Sequence, residues 1–321
     1  MDDLTEPELM TRAAWLYHVA GLNQEQTSVR LGLTRARVNR LLQQARESGV
    51  VTISISERDL GLLKVEETLR AQYGLMSCIA TFPLGPEMLA GDQEASLRMV
   101  GAAGARLLQD RLSADPGAIV GIGWGRTLAA LAQAYAGPTV SGARFISLMG
   151  SLTANSAVNP FDVVHKLAQV TGGEGYFLPV PFIVDTPRDR DLLLSQHAVQ
   201  TPLKIARQAR LAFISVGELT EQSLLFQKGM ISEAEMAGLR AAGAVGDTNG
   251  IFFDEMGKPV DHILNQRCVA LGLDHLRAAE KVLLSAGAQK LTATRALLRS
   301  GAVSSLVIDG DSAIALAAEV R

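Results

Sequence analysis

Apolar residues recur at helical spacing through the first fifty positions and then change rhythm. Leu9, Ala13, Leu16 and Val19 form a stripe over residues 7–20, which predicts an amphipathic helix ended by Gly21. Asn23, with Gln26 three positions later, has capping-box spacing and predicts a short second helix to about Leu31. Gly32 and Leu33 make a turn, and Thr34 caps a third helix. Val38, Leu41, Leu42 and Ala45 supply the inner face of that helix, and Gly49 stands where it should stop. Helix, three-residue turn, helix is the helix-turn-helix unit. Thr27 and Ser28 fall on the inner face of the second helix, where larger apolar residues pack better, while Val29 points outward. The unit is therefore expected to be only marginally stable alone. The stretch VVTISI, residues 50–55, alternates and predicts a short strand or wing. Leu62, Val65, Leu69, Tyr73 and Met76 then recur near heptad spacing, predicting a linker helix over residues 60–76. Two heptads serve equally well for packing on the body or for pairing between subunits.

From about residue 77 short apolar runs alternate with helical patterns. Strands are expected at 78–82, 118–122, 144–148, 176–180, 211–216, 281–284 and 304–308. Helices are expected at 93–112, 160–170, 232–241, 289–299 and 311–320. That alternation implies a parallel sheet covered on both faces, with ligands at the carboxyl ends of its strands. The expected organisation is α/β. An all-α helix-turn-helix spans residues 1–56, a linker helix 57–76, and a doubly wound, mostly parallel α/β domain 77–321.

Length and composition agree. The 321 residues suit about two domains, and 48% apolar with 20% charged residues is a globular balance that excludes global disorder. The apolar window at residues 176–184 is too short for a membrane-spanning helix and is broken by Pro179 and Pro181. The acidic N-terminus MDDLTEPELM lacks the features of a signal peptide, so Cys78 and Cys268 are expected to be reduced thiols in a cytoplasmic protein. The net charge of −3 argues against a protein coated in positive charge. It is unevenly spread, however. Residues 23–48 hold five arginines against two glutamates, a local +3 that leaves −6 on the rest.

Placed on the third helix, Arg35, Arg37, Asn39 and Arg40 occupy its N-terminal and outer surfaces, the part of a recognition helix that enters the major groove. Arg reads guanine, Asn reads adenine, and Thr34 can reach a phosphate. The expected partner is double-stranded DNA, read as paired half-sites by an oligomer. A solvated helical face or a purely structural module would carry arginines too, but would not need this placement.

Four strand ends in the body carry candidate chemistry. GIGWGRT, with Gly121, Gly123, Gly125, Arg126 and Thr127, joins a strand to a helix start, an arrangement suited to a phosphate or polyol. Its spacing is not GxGxxG, and no acidic residue follows where a ribose would need one. GSLTANS, beginning Gly150 and Ser151, is rich in hydroxyl and amide groups. Asp247 lies among small residues, where it could accept sugar hydroxyls or simply cap its own turn. Lys290 starts a helix after a strand, where it could meet a phosphate or solvent. The five histidines lack metal-ligand spacing, and CxxC, GxSxG and Walker motifs are absent. No catalytic residue, metal or cofactor is expected.

Taken together, NQEQTSVRLGLTRARVNRLLQQARESGVV, GIGWGRTLAAL, GAVGDTNGIFFDEMGKPV and AGAQKLTATRALLRSGAVSSLVID resemble the SorC family of bacterial sugar-binding transcriptional regulators, in order and over essentially the whole chain. The resemblance implies an effector domain similar to sugar-phosphate isomerases, assembly as dimers or tetramers, and a phosphorylated sugar or related effector. It implies that Gly123, Gly125, Arg126 and Thr127 lie at the ligand, with Asp247 on its hydroxyls and Lys290 on its phosphate. RAAWLYHVAGLNQEQ and RARVNRLL look most like regulators of polyol catabolism of the erythritol type. Thr27 and Ser28 depart from the family, where an Ile-Ala pair is more usual. The implied function is a ligand-controlled DNA-binding regulator of a carbohydrate or polyol operon, acting as a repressor. The rival is a sugar-phosphate isomerase carrying a DNA-binding head, with Asp247 as its base but no evident acid/base partner.

Overall fold

The computed structural model describes residues 5–52, 60–91, 94–151, 159–276 and 278–318. Its chain divides into two compact units, residues 1–57 and 58–321.

The first unit holds three helices, α1 (Glu6–His18), α2 (Gln24–Leu31) and α3 (Arg35–Glu47). The expected capping box is formed: the Asn23 side chain accepts from the Gln26 N–H at 2.9 Å, and Gln26 accepts from the Asn23 N–H at 3.0 Å. Thr34 Oγ1 accepts from the Arg37 N–H at 3.2 Å. Val38, Leu41, Leu42 and Ala45 are buried with Ala13 and Ala14. Thr27 and Ser28 do lie inside while Val29 is exposed, and the Thr27 hydroxyl has no hydrogen-bond partner among the described residues. Val19, expected on the inner stripe, is instead exposed. The helix stops at His18, and the chain turns away at Gly21, where φ is +70°. Residues 50–52 form no strand, and the remainder of the expected wing, residues 53–55, lies outside the described residues.

The second unit begins with α4 (Leu60–Tyr73). Its Leu62 and Leu69 are buried in the core of this same unit, with Val65 and Tyr73 packed against that core, whereas Met76 is exposed. The heptad-like stripe is therefore used for packing on the body. All seven expected strands form, within three residues of the expected ends: β1 (Ser77–Ala80), β2 (Ile119–Ile122), β3 (Arg144–Ser151), β4 (Glu174–Pro181), β5 (Leu211–Ser215), β9 (Glu280–Ser285) and β10 (Ser305–Ile308). They pair in parallel in the order β1-β10-β9-β5-β2-β3-β4. Between β5 and β9 the chain adds a small antiparallel sheet of β6 (Gly217–Glu218), β7 (Gly246–Thr248) and β8 (Ile251–Phe253), which the apolar pattern does not announce.

The helices of this unit after α4 are α5 (Gly85–Gly91), α6 (Ala95–Ala114), α7 (Arg126–Ala134), α8 (Pro160–Thr171), α9 (Pro187–Ser195), α10 (His197–Ala206), α11 (Leu224–Gln227), α12 (Glu233–Ala241), α13 (Ile263–Arg267), α14 (Leu291–Arg299) and α15 (Gly310–Ala318). Strand side chains alternate between two cores. Val120, Ile122, Phe145, Phe213 and Leu284 meet α6, α7 and α8 on one face. Ile119, Ile146, Ile214, Leu283 and Leu306 meet α4, α10, α14 and α15 on the other. A third core, with Trp124, Met149, Phe182, Leu225, Met236 and Phe252, joins residues 217–268 to the carboxyl ends of the strands. Among the described residues no helix is long and apolar enough to cross a membrane, and the window at 176–184 is largely β4. Cys78 and Cys268 are buried.

Candidate functional site

Strand order reverses between β2 and β5. From β2 the chain lays down β3 and β4 toward one edge, then returns to place β5 on the other side of β2. Loops leaving the carboxyl ends of such neighbours diverge and open a crevice. Here that crevice is lined by Trp124, Gly125 and Arg126 after β2, by Ser215–Glu218 after β5, by Asp247 of β7, and by Lys290 beyond β9. Ser223, Leu224 and Leu225 complete the wall, and the cavity measures about 430 Å³ including the space open to solvent.

Hydrogen bonds tie the three loops together. Ser215 Oγ donates to the Trp124 carbonyl at 2.5 Å, and Thr248 Oγ1 donates to the Ser215 carbonyl at 2.9 Å. Asp309 accepts from the Gly287 N–H at 2.8 Å and the Ser312 N–H at 2.9 Å, fixing the turn that precedes Lys290. Gly125, at φ +113°, caps α7 in a conformation that side-chain-bearing residues avoid. The first amides of α7 have no acceptor within the helix, so its N-terminus presents N–H groups and a partial positive charge. The hydroxyl of Thr127, fully buried in that first turn, also lacks a hydrogen-bond partner among the described residues.

Four ionisable side chains face this crevice. Glu218, Asp247 and Lys290 are buried, while Arg126 reaches in from a half-exposed position and lies 3.8 Å from Glu218. Burial is the main force on Asp247, pushing its carboxyl up to about 7. The Glu218 charge pushes the same way, against the hydrogen bond from the Gly250 N–H and the attraction of Lys290. Burial likewise lowers the Lys290 ammonium from its ordinary value, opposed first by Glu218. Its Nζ has no hydrogen-bond or ion-pair partner within reach among the described residues. The crevice thus combines two cations, one of them uncommitted, with two carboxylates that can accept hydroxyl protons. That inventory suits a small hydroxylated molecule bearing an anionic group.

The structure brings together Gly125, Arg126, Asp247 and Lys290 from the expected set. Gly123 and Thr127 lie just behind the pocket wall. The Gly123 N–H is already donated to the Phe213 carbonyl at 2.9 Å, so it is not available to an anion. Gly150 and Ser151 do not join the pocket. A Cβ on Gly150 would lie 2.6 Å from the Val180 and Pro181 carbonyls, so its smallness serves the approach of β3 to β4. Ser151 Oγ accepts from the Asn159 amide at 3.0 Å. The rest of GSLTANS lies outside the described residues. Lys290 ends a short 3₁₀ turn, Ala288–Lys290, and is the N-cap of α14. Glu218 and Trp124 escape a reading by motif. The signal for both is position, since each lies just past the end of an expected strand. His262 caps α13, its Nδ1 accepting from the Leu264 N–H at 3.3 Å.

On α3 the side chains of Arg35, Asn39 and Arg40 are exposed, as is Thr34 before it. Arg37 is half-buried and ion-paired with Glu6 of α1. Arg35 Nε donates to Gln24 Oε1 at 3.3 Å. The helix thus offers a contiguous basic and amide surface, with one arginine already engaged.

Residues 58–318 match a family model described as "Putative sugar-binding domain". The chain is 34% identical, over 311 residues, to the erythritol catabolism regulatory protein EryD of Brucella abortus (strain 2308), covering 97% of this chain and 96% of that one. It is 28% identical to the deoxyribonucleoside regulator of Bacillus subtilis (strain 168), covering 98% of each. Its fold is that of the full-length sorbitol operon regulator SorC from Klebsiella pneumoniae, with a TM-score of 0.71 at 24% identity over 96% of this chain and 98% of that one. These relatives are regulators and not enzymes, which sets aside the reading of an isomerase with a DNA-binding head.

Proposed function

The chain belongs to the SorC/DeoR-like family of transcriptional regulators with a sugar-binding domain, and from that premise we propose that it represses a carbohydrate or polyol catabolic operon and releases it when a small phosphorylated sugar or polyol binds the body. Residues 1–56 read operator DNA through Thr34, Arg35, Asn39 and Arg40, with Arg37 joining once it leaves Glu6. Residues 77–321 sense the effector. Arg126, Lys290, Thr127 and the N-terminus of α7 hold the phosphate, and Asp247 accepts from hydroxyls.

One observation carries the phosphate reading: a buried ammonium with no hydrogen bond or ion pair among the described residues, in the same crevice as the N-terminus of a helix. The erythritol and sorbitol operons in the relatives' names favour a short polyol skeleton. A homo-oligomer acts in the cytoplasm, where the effector alters the spacing of paired reading heads. This is coupling between two distinct sites. The test is a mobility-shift assay at fixed salt with operator DNA and a panel of free and phosphorylated polyols and sugars. A phosphorylated member is expected to release the wild-type protein. Lys290→Ala should bind DNA unchanged and fail to respond. Release by the unphosphorylated compound alone, or an unaltered response in the variant, would refute the phosphate assignment.

A further inference from the structure

Glu218 is the unexplained member of the crevice. Its carboxylate is buried and lines the pocket. Among the described residues it receives no hydrogen bond, and its one ion pair, to Arg126 Nη2, is long at 3.8 Å. Burying a carboxylate without donors is costly, so a stabilising role does not account for it. It sits on β6, whose pairing sets Gly217 opposite Asp247 and Glu218 opposite Gly246. Both carboxylates line the crevice together with Arg126 and Lys290. With both ionised, the crevice has no net charge to offer an anion.

We propose that Glu218 is a built-in competitor for the effector's anionic group: it holds the Arg126 guanidinium, and a ligand phosphate gains that guanidinium only by displacing it. The inference rests on the reading of Arg126 and Lys290 as the anion-binding groups. Its consequence is specificity. A bare phosphate replaces one negative charge by another and leaves two buried carboxylates beside it. A phosphorylated polyol brings hydroxyls that donate to Glu218 and Asp247 as the cations are taken. The device therefore rejects inorganic phosphate, which any cell holds in excess, in favour of a ligand that satisfies both halves of the pocket. Glu218 is a specificity-determining residue, and its value lies in what it keeps out.

Calorimetric titration of inorganic phosphate, and separately of glycerol phosphate, into the full-length protein tests this at constant pH and ionic strength. Glu218→Gln is expected to bind inorganic phosphate at least tenfold more tightly than wild type, and the preference for glycerol phosphate should narrow by a similar factor. Glu218→Ala, checked for an intact thermal transition, should behave alike. If both variants bind inorganic phosphate no more tightly than wild type while Lys290→Met loses binding, the anion site stands and the competitor role is refuted. If Lys290→Met binds glycerol phosphate as well as wild type does, or if no form of the protein binds either compound, the anion-site reading fails and takes the proposal with it.

Discussion

The outer face of α3 and the crevice at the β2–β5 switch each gather charge, and they do so in opposite ways. On α3 the charges of Arg35 and Arg40 stand in water. Each costs little to maintain and acts weakly, and binding grows with the number of phosphates met. In the crevice, Glu218, Asp247 and Lys290 are withdrawn from water. Each costs much to hold, and burial raises the Asp247 carboxyl and lowers the Lys290 ammonium from their ordinary values. A surface that recognises a polymer can rely on number and tolerate salt screening only by repetition. A pocket that recognises one small molecule must rely on a few groups in a poorly screened setting, and its carboxylates limit what may enter.

The largest effect expected from this contrast is on DNA. Replacing both Arg35 and Arg40 by Ala should cost about 1–3 kcal/mol per residue, or roughly 5- to 150-fold each in operator affinity, and lower the salt slope by about one for each phosphate no longer met. Effector binding to the same protein should not change. Arg37→Ala should cost less than Arg40→Ala, since its ion pair with Glu6 must first be broken. Mobility shifts over a salt series distinguish these outcomes, and an equal decrease for Arg37 would erase the distinction drawn between them.

A smaller effect is expected from pH, and only in the crevice. With its carboxyl near 7, Asp247 is mostly neutral at pH 6 and mostly ionised at pH 8. An anionic effector should therefore bind roughly tenfold more weakly at pH 8 than at pH 6, measured relative to Asp247→Asn, which removes the ligand's own titration from the comparison. The same group affects stability in a known direction. Between its ordinary value of 3.8 and about 7 only the unfolded chain ionises, so stability falls as pH rises through that window and levels off above it. Asp247→Asn should flatten both curves. Calorimetry from pH 5 to 8 checks them, and parallel curves for the two proteins would show that Asp247 does not titrate there.

The smallest effect concerns the first unit. Thr27 buries a hydroxyl with no partner. Thr27→Val keeps the shape and removes the polar atom, so it should stabilise this unit by about 1 kcal/mol. Slower amide exchange in α2 of the full-length chain is the readout, and faster exchange would show that the hydroxyl is satisfied in solution.

Much of this architecture is legible along the chain because its signals are local. Parallel strands buried on both faces read as continuous apolar runs, and all seven can be found that way. The helix-turn-helix is legible through Asn23, Gln26, Thr34 and the stripe on α3, because caps and periodicity act within a turn or two. The small antiparallel sheet is not, although Asn249-Gly250 between Thr248 and Ile251 is a two-residue hairpin signal, with φ of +48° and +74° in the structure. Strands of two and three residues leave too short a pattern to read. In GSLTANS only Gly150 and Ser151 are described, and there composition does not reveal packing: Gly150 is small because two carbonyls crowd it.

The sequence alone therefore determined the kinds of element, their order, the basic face of α3 and the glycine turn before α7, since each depends on residues a few positions apart. Tertiary structure decided which strand ends meet. It placed Glu218 opposite Arg126, 92 positions earlier in the chain, and Asp247 near Lys290, in the order β9-β5-β2 that no local pattern encodes. It also decided the charge state of Asp247, whose protonation depends on how much water and which charges the assembled fold leaves around it.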